Sequence, residues 1–293
     1  MRIKNFVLLV QRAMVPETFC DGSRANPGRR ELILESLAEK TLFDTVFGRI
    51  ETSPRNLACS HKATPSLALG CDECDIKGLS VCDSLEPDEF ELLERIGRTL
   101  SFAAKATLFE QGRDAPFVSN LTSGALRLSK LLPDGRRQVV GFALPGDFLG
   151  LAMQPTHMFT ADALTPVKLC QFSRLGFSDL LDKKPRLMRA LMNMAAQELT
   201  LAQDQMVVLG RRTAEEKIAA FLVGMRRRYG RIHGPSVHVP LPMTRLDIGD
   251  YLGLTVETVS RMMTRMAREK TIVIVPDGVR LLDIARLEHL AEV

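Results

Sequence analysis

A long run of heptad spacing between residues 185 and 210 constrains the fold of this chain more than any other feature. Seven apolar residues there recur at alternating steps of four and three, the spacing of a helix face that packs against another helix. They are Met188, Met192, Ala195, Leu199, Ala202, Met206 and Leu209. The opposite face also carries apolar residues: Leu187, Leu191, Met194 and Leu201. One face can pack against the chain's own core while the other meets a second copy, so we predict a dimerisation helix; a helix packed wholly within its own chain is the alternative.

The segment before this helix has the pattern of short antiparallel strands. Between residues 101 and 172, glycines separate short alternating runs such as 125–131 and 138–144. Pro133-Asp134-Gly135 lies between these two runs and is a turn signal, because proline presets one dihedral angle and glycine accepts a positive φ. This spacing predicts a small, cupin-like β-roll. A short helix is expected over residues 88–100, ahead of the roll.

Residues 244–261 have the pattern of two short helices joined by a tight turn. Thr244 and Asp247 resemble a capping box, with Asp in place of the usual Glu. Gly253 suits the turn, and Thr255 can cap the second helix. This is the pattern of a helix-turn-helix.

The second helix of this unit presents polar side chains suited to reading base pairs. Ser260 and Arg261 lie three and four residues after Glu257, so the three side chains share one face of the helix. Arginine can bind both acceptors of guanine, and glutamate can accept from the cytosine amino group. Two predicted strands, 271–275 and 279–283, then form a hairpin that makes the arrangement winged.

The overall prediction is an α+β chain of four parts. They are a poorly specified extension (1–58), a cysteine loop with a β-roll sensor domain (59–184), the dimerisation helix (185–210) and a winged helix-turn-helix (211–293). Residues 210–293 carry 14 Lys and Arg against 10 Asp and Glu, an excess that equals the net charge of +4 of the whole chain. A basic module beside a neutral one points weakly to nucleic acid.

Other function classes lack their sequence signals. No apolar run is long enough to span a bilayer, and residues 6–10 do not make a convincing secretion signal, so a cytoplasmic protein without membrane contact is expected. We find no His-Glu-x-x-His motif, no glycine loop that cradles phosphate, and no βαβ context for a redox dithiol, so no enzyme is predicted.

The cysteines are concentrated ahead of the predicted roll. Cys71, Cys74 and Cys82 lie within twelve residues, in a Cys-x₂-Cys-x₇-Cys spacing. This spacing alone leaves zinc, a redox dithiol and chance open. Cys170 lies on a late predicted strand, where a small buried hydrophobic role is its simplest interpretation. Cys20 and Cys59 are assigned no ligand role.

The segment Asp247-Ile248-Gly249-Asp250-Tyr251-Leu252-Gly253-Leu254-Thr255-Val256-Glu257-Thr258-Val259-Ser260-Arg261 resembles the signature of the CRP/FNR superfamily of bacterial transcription regulators. The resemblance covers roughly residues 85–290 and includes the order of roll, long helix and winged helix-turn-helix. It implies a homodimer that works with RNA polymerase, in which Glu257, Ser260 and Arg261 read a palindromic double-stranded DNA site with TTGAT-like half-sites.

Within the superfamily, the cysteines resemble those of the oxygen-sensing Fnr, FnrN and FnrL branch. That resemblance implies a [4Fe–4S] cluster on Cys71, Cys74, Cys82 and Cys170, which favours dimerisation when oxygen is scarce. Ala202 departs from the branch, whose members carry an acidic residue there, so dimerisation is expected to depend less on oxygen. A FixK-like regulator without a cluster, or one sensing another ligand, is the alternative.

Cyclic nucleotide is disfavoured as the ligand of the roll. Superfamily members that bind it use a Gly-Glu pair followed about ten residues later by Arg-Ser. Here Gly146-Asp147 stands at the first position, and no arginine occurs between Gly150 and Lys168. The chain therefore lacks an arginine clamp for the phosphate.

Overall fold

The computed structural model describes residues 74–86 and 89–292, together with the backbone of residues 64–66. Residues 59–293 group into one compact unit. The predicted extension 1–58 and the cysteines Cys20, Cys59 and Cys71 lie outside the described residues. In the part of the chain that is described, no helix is long and apolar enough to cross a membrane.

The first half of the described chain is a β-roll of two antiparallel sheets. One has five strands in the order β1-β2-β9-β4-β7, and the other has four in the order β3-β8-β5-β6. The strands are β1 (Thr64–Ser66), β2 (Gly97–Phe102), β3 (Thr107–Phe109), β4 (Phe117–Ser123), β5 (Leu126–Leu131), β6 (Arg137–Ala143), β7 (Phe148–Leu149), β8 (Thr160–Ala163) and β9 (Val167–Ser173). The interior of the roll is filled by small and branched side chains such as Leu121, Leu126 and Val167.

Helices precede and follow the roll. Two short 3-10 helices, Lys77–Leu79 and Val81–Ser84, form the cysteine loop. The α-helices are α1 (Phe90–Ile96), α2 (Arg174–Lys183), α3 (Pro185–Arg211), α4 (Ala214–His233), α5 (Arg245–Leu252), α6 (Val256–Arg268) and α7 (Ile284–Glu292). A third sheet lies among the last helices, in the order β10 (His238–Pro240), β12 (Gly278–Leu281) and β11 (Ile272–Val275).

The predicted fold class, an α+β chain of roll, long helix and winged helix-turn-helix, is confirmed. One local prediction was wrong: the helix expected over residues 88–100 ends at Ile96. Gly97 begins β2, where Leu100 pairs with Leu169 of β9 and is buried. The pairing with β9 decides the structure of this segment, because strand pairing and burial override a weak local helix pattern.

Candidate functional site: the helix-turn-helix and the cysteine loop

The helix-turn-helix is built by local hydrogen bonds that the sequence encodes. At the start of α5, Thr244 Oγ1 accepts from the backbone N–H of Asp247 at 3.1 Å, and Asp247 Oδ2 accepts from the backbone N–H of Thr244 at 3.0 Å. The predicted capping box is therefore confirmed, with Asp in the place of Glu. Gly253 ends α5 with φ +63°, and the Thr255 side chain accepts from the N–H of Thr258 at the start of α6.

The second helix presents the predicted reading residues to solvent. Glu257, Ser260 and Arg261 are all exposed on α6. Hydrogen bonds from its own backbone N–H and from Thr255 lower the pKa of Glu257, so its carboxylate is charged and able to accept at neutral pH. The opposite face of α6 is buried through Val259, Met263 and Met266, which fixes the helix and leaves its polar face free.

The turn between the two helices depends on a close approach at Gly249. Leu254 N donates to Gly249 O at 2.9 Å, and a Cβ on Gly249 would lie 2.6 Å from Leu254 O. We predict that Gly249→Ala destabilises the protein by about 1–3 kcal/mol, because α5 must move away from the turn. The measurement is the thermal unfolding midpoint of the purified protein.

Gly224→Ala is the matched control for this prediction. Gly224 lies within α4, and a Cβ there meets nothing within 4 Å. Alanine in the middle of a helix is more stable than glycine by about 1 kcal/mol, so this variant is expected to be neutral or stabilised. Equal midpoints for the two variants would contradict the steric account of Gly249.

The cysteine loop packs onto the roll beside Cys170. Asn120 on β4 is the strand neighbour of Cys170 on β9, and its Nδ2 donates to Cys82 Sγ at 3.4 Å. Cys170 is buried, whereas Cys74 and Cys82 are partly exposed. Cys82 and Cys170 therefore pack in the same hydrophobic core, with Asn120 next to both. Cys74 lies at the start of the described loop, and Cys71 lies outside the described residues.

The thiols of Cys82 and Cys170 have raised pKa values. Burial raises the pKa of the Cys82 thiol and Cys74 raises it further, against hydrogen bonds from Ser80 and Asn120. Burial, with smaller contributions from Cys74 and Cys82, raises the pKa of Cys170 to about 12. A positively charged metal centre beside Cys82 and Cys170 would favour their thiolate forms.

The four cysteines suit an iron–sulfur cluster by their chemistry, because thiolates are the donors that such clusters prefer. Among residues 74–86 and 89–292, no three His, Cys, Asp or Glu side chains are placed to hold a metal ion. The Asn120 N–H already directed at Cys82 is the kind of hydrogen bond to sulfur that tunes these centres.

The long helix α3 has one buried face and one exposed apolar face. Leu187 and Leu191 are buried against the roll and the cysteine loop. The predicted dimer residues are mostly exposed: Met192 is 60% exposed, Leu199 61%, Met206 64% and Leu209 38%. Ala202 is also exposed, whereas Met188 and Ala195 are half-buried. Leu201, expected on the packed face, is 56% exposed.

A β-roll, a long helix with an exposed apolar face and a winged helix-turn-helix together define a DNA-binding transcription regulator. Residues 216–290 match the Crp-like helix-turn-helix domain, and residues 99–184 match the cyclic nucleotide-binding domain. The chain belongs to the CRP/FNR family of transcription regulators. The proteins of this family that it resembles regulate transcription and are not enzymes.

Similar proteins include regulators with both FixK-type and Fnr-type names. The transcriptional activatory protein AadR of Rhodopseudomonas palustris is 50% identical, over 74% of this chain and 91% of that protein. The nitrogen fixation regulation protein FixK of Bradyrhizobium diazoefficiens is 48% identical, over 75% of this chain and 93% of that protein. The transcriptional activator protein FnrL of Cereibacter sphaeroides is 36% identical, over 75% of this chain and 94% of that protein. The solved structure of FixK2 from Bradyrhizobium japonicum is 35% identical and covers 67% of this chain and 97% of its own, with a TM-score of 0.62.

The structure also brings together residues that sequence patterns did not single out. Asn120 beside the thiols is one; nothing in an alternating strand pattern marks it. Arg127 and Arg137 on the roll contact Asp247 and Asp250 on α5, more than 100 positions away in the chain. Pairs so distant in sequence leave no local signal. The unusual feature in the sequence was Asp247, which stands in the capping box where Glu is usual.

Proposed function

We propose that this protein is a homodimeric, oxygen-responsive regulator that controls genes for life at low oxygen by binding palindromic promoter sites with TTGAT-like half-sites. It works in the cytoplasm, on promoter DNA and with RNA polymerase. Two copies pair through the exposed face of α3, which places two α6 helices about one DNA turn apart. In each half-site, Arg261 reads guanine, Glu257 accepts from a cytosine amino group, and Ser260 contacts a base or phosphate.

The oxygen-responsive element of the proposal is a [4Fe–4S] cluster held by Cys71, Cys74, Cys82 and Cys170. The observation that supports it is the packing of Cys82 and Cys170 in one core, where the Asn120 amide donates to Cys82 Sγ. When bound, the cluster supplies an oxygen-labile bond between the cysteine loop and β9.

The loop that carries the thiols also supports the dimerisation helix. Val81, next to Cys82, is buried in the same core as Leu187 and Leu191 of α3. Two ion pairs lie just beyond this contact: Lys184 Nζ, immediately before α3, lies 2.5 Å from Glu89 Oε1 at the start of α1, and the Arg186 guanidinium contacts the Glu86 carboxylate. Release of the loop therefore removes packing from the first turns of α3, which loosens the helix where pairing begins.

Ala202 modifies this switch. It is exposed on α3 and carries no charge, so it adds no repulsion between two chains that lack a cluster. We therefore propose that the cluster-free protein still forms some dimer, and that oxygen reduces DNA binding by degrees rather than abolishing it.

The alternative function is a FixK-like regulator without a cluster. The 48% identity to the Bradyrhizobium diazoefficiens FixK favours it weakly. In that case Cys82 and Cys170 only help to pack the loop against the roll, and DNA binding does not respond to oxygen.

Cyclic nucleotide is not part of the proposal, although the roll matches a cyclic nucleotide-binding domain. Asp147 Oδ2 accepts from the backbone N–H of Leu144 at 2.8 Å and contacts the Arg228 guanidinium. The carboxylate at this position therefore serves to hold the chain rather than to meet a ligand.

Iron and sulfide content of single cysteine variants tests the proposed ligands. We expect the wild-type protein, purified without oxygen, to be brown and to carry about four irons and four sulfides per chain. Cys170→Ala, which retains a small apolar side chain, should lose both, because removing a ligand typically costs the site its metal. Cys59→Ser should retain them, since Cys59 is assigned no ligand role.

The folded state is checked in the same samples. Far-ultraviolet circular dichroism should be unchanged in Cys170→Ala, which separates loss of the cluster from loss of the fold. A colourless wild-type protein, or equal iron in the two variants, would contradict the cluster and leave the FixK-like alternative.

A further inference from the structure

The β-roll and the helix-turn-helix of one chain are joined by a compact charged network. On the roll, Arg127 of β5 donates from Nη1 to Asp247 Oδ1 at 2.8 Å and from Nη2 to Asp162 Oδ2 at 2.7 Å. Arg137 of β6 donates from Nη2 to Asp247 Oδ1 at 2.9 Å. It also reaches Asp250 Oδ2, from Nη2 at 2.6 Å and from Nε at 3.1 Å. Two arginines of the roll thus hold two carboxylates of α5.

The network is shielded from solvent, unlike most surface ion pairs. The side chains of Arg127 and Arg137 are 20% and 28% exposed, and that of Asp247 is 2% exposed. Burial opposes the charged form of Asp247, but hydrogen bonds from Thr244 and Arg127 outweigh it and lower the pKa of this carboxyl. A carboxylate buried to this extent must be paired, so separating the roll from α5 carries an electrostatic cost.

Asp247 has two roles, one for each carboxylate oxygen. Oδ2 closes the capping box with Thr244, and Oδ1 accepts from both arginines of the roll. This explains why a short Asp stands where a Glu is usual: the same side chain caps α5 and binds the roll. The start of the helix-turn-helix is thereby tied to β5 and β6.

Apolar contacts continue the same surface. The ring of Phe142 on β6 lies 5.4 Å from that of Tyr251 on α5 and 6.1 Å from that of Phe221 on α4, centroid to centroid. Phe142 is only 5% exposed. The Gln138 side chain of β6 also donates to the backbone oxygen of Asp250. The charged network therefore lies at the edge of an apolar contact between the roll and the helices α4 and α5.

The reading residues stand clear of this contact. The network uses α5, whereas Glu257, Ser260 and Arg261 lie exposed on α6. The joined arrangement therefore leaves the reading face open to DNA. A helix-turn-helix that is already oriented loses less freedom on binding two half-sites than one that moves independently.

We propose that Arg127 and Arg137 form an electrostatic latch with Asp247 and Asp250 that orients the helix-turn-helix on the roll and pre-organises it for DNA. The role proposed for the latch assumes only that the protein binds DNA, as its family does, and it does not require the cluster. It gives the sensor domain a direct path to the reading helix within one chain, in addition to the path through dimerisation.

A neutral double-mutant cycle on Arg137 and Asp250 tests the latch. These two are chosen because changing Asp247 would also break the cap of α5. The variants are Arg137→Gln, Asp250→Asn and the double variant, measured on a fluorescent TTGAT palindrome at one fixed salt concentration without oxygen. Arg136→Gln is the matched control, because Arg136 is the exposed neighbour of Arg137 and pairs with Asp134 in its own hairpin.

We expect each single latch variant to weaken DNA binding about fivefold, and the double variant to be no weaker than the worse single one, as for two partners of one interaction. Asp250→Asn is the most decisive variant, because the two explanations predict opposite changes in DNA binding. Removing a negative charge from a DNA-binding domain should tighten binding by charge alone, whereas loss of the latch weakens it. Arg136→Gln should stay within about twofold of the wild type, since exposed pairs contribute little.

Hydrogen exchange of the DNA-free protein gives an independent readout. Peptides covering residues 137–143 and 245–252 should exchange faster in both single variants and remain unchanged in Arg136→Gln. Tighter DNA binding by Asp250→Asn, multiplicative losses in the double variant, or unchanged exchange would each overturn the latch. Iron content measured on the same samples shows whether the cluster is present, so its absence is not mistaken for failure of the latch. The hydrogen-exchange comparison does not use DNA and is valid even if the wild type does not bind the TTGAT site.

Discussion

Leu199→Glu will leave the protein monomeric and weaken binding to its palindromic site by at least about 100-fold, because each monomer then holds only one half-site. Leu199 is 61% exposed in the single chain and lies at the centre of the apolar face of α3. In a symmetric pair the two glutamates would face each other, and burying two like charges without partners is strongly unfavourable. Sedimentation velocity of the oxygen-free protein measures the assembly, and fluorescence anisotropy measures the binding.

Leu201→Glu is the matched control on the same helix. Leu201 is 56% exposed, close to the value for Leu199, but it lies two positions on and points away from the predicted pairing face. This variant is expected to remain dimeric and to bind DNA like the wild type. A dimeric Leu199→Glu protein, or equal loss in both variants, would show that the chains pair elsewhere.

Arg261→Ala will reduce affinity for the TTGAT palindrome about 10- to 100-fold and will remove discrimination at one base position of each half-site. The side chain is exposed on the first turns of α6, beside Glu257 and Ser260. A bidentate arginine contact to guanine carries sequence information, so its loss affects the cognate site more than altered sites. Competition binding with half-sites changed one base at a time measures this.

Arg136→Ala removes the same charge from the exposed hairpin of the roll and is expected to change neither affinity nor specificity. If Arg261→Ala weakened binding to every sequence equally, Arg261 would be a phosphate contact and another residue would read the guanine. The pattern across sites therefore decides between the two roles, whatever the overall loss in affinity.

Features encoded locally were predictable from the sequence. The capping box at Thr244 and Asp247, the turn at Gly253 and the cap at Thr255 depend on residues a few positions apart, and the structure has all of them. The heptad pattern located the long helix, which the structure places at Pro185–Arg211. Caps, turns and periodicity act over a few residues, so one sequence is enough to show them.

Features that depend on distant parts of the chain were not predictable. Gly97 and Leu100 belong to β2 because they pair with β9, seventy residues further on. The charged contact between Arg137 and Asp250 spans 113 positions. For the cysteines, the spacing of Cys71, Cys74 and Cys82 left several chemistries open. The packing of Cys82 and Cys170 in one core depends on the fold.

The proposed switch and the proposed latch are two separate routes to DNA binding. One runs through the packing of Val81 on α3 and acts on pairing between chains. The other runs through the latch and acts on the orientation of α5 within a chain.

Operator binding by one oxygen-free sample, measured before and after exposure to air, tests whether a cluster controls DNA binding. We expect a brown protein that binds the TTGAT palindrome and, after air bleaches it, binds at least about fivefold more weakly. A switch controlled by a ligand requires such a difference in affinity between its two states. Cys170→Ala should bind like the bleached protein in both conditions. A colourless, metal-free sample that binds equally tightly with and without air would rule out the proposed cluster-controlled switch.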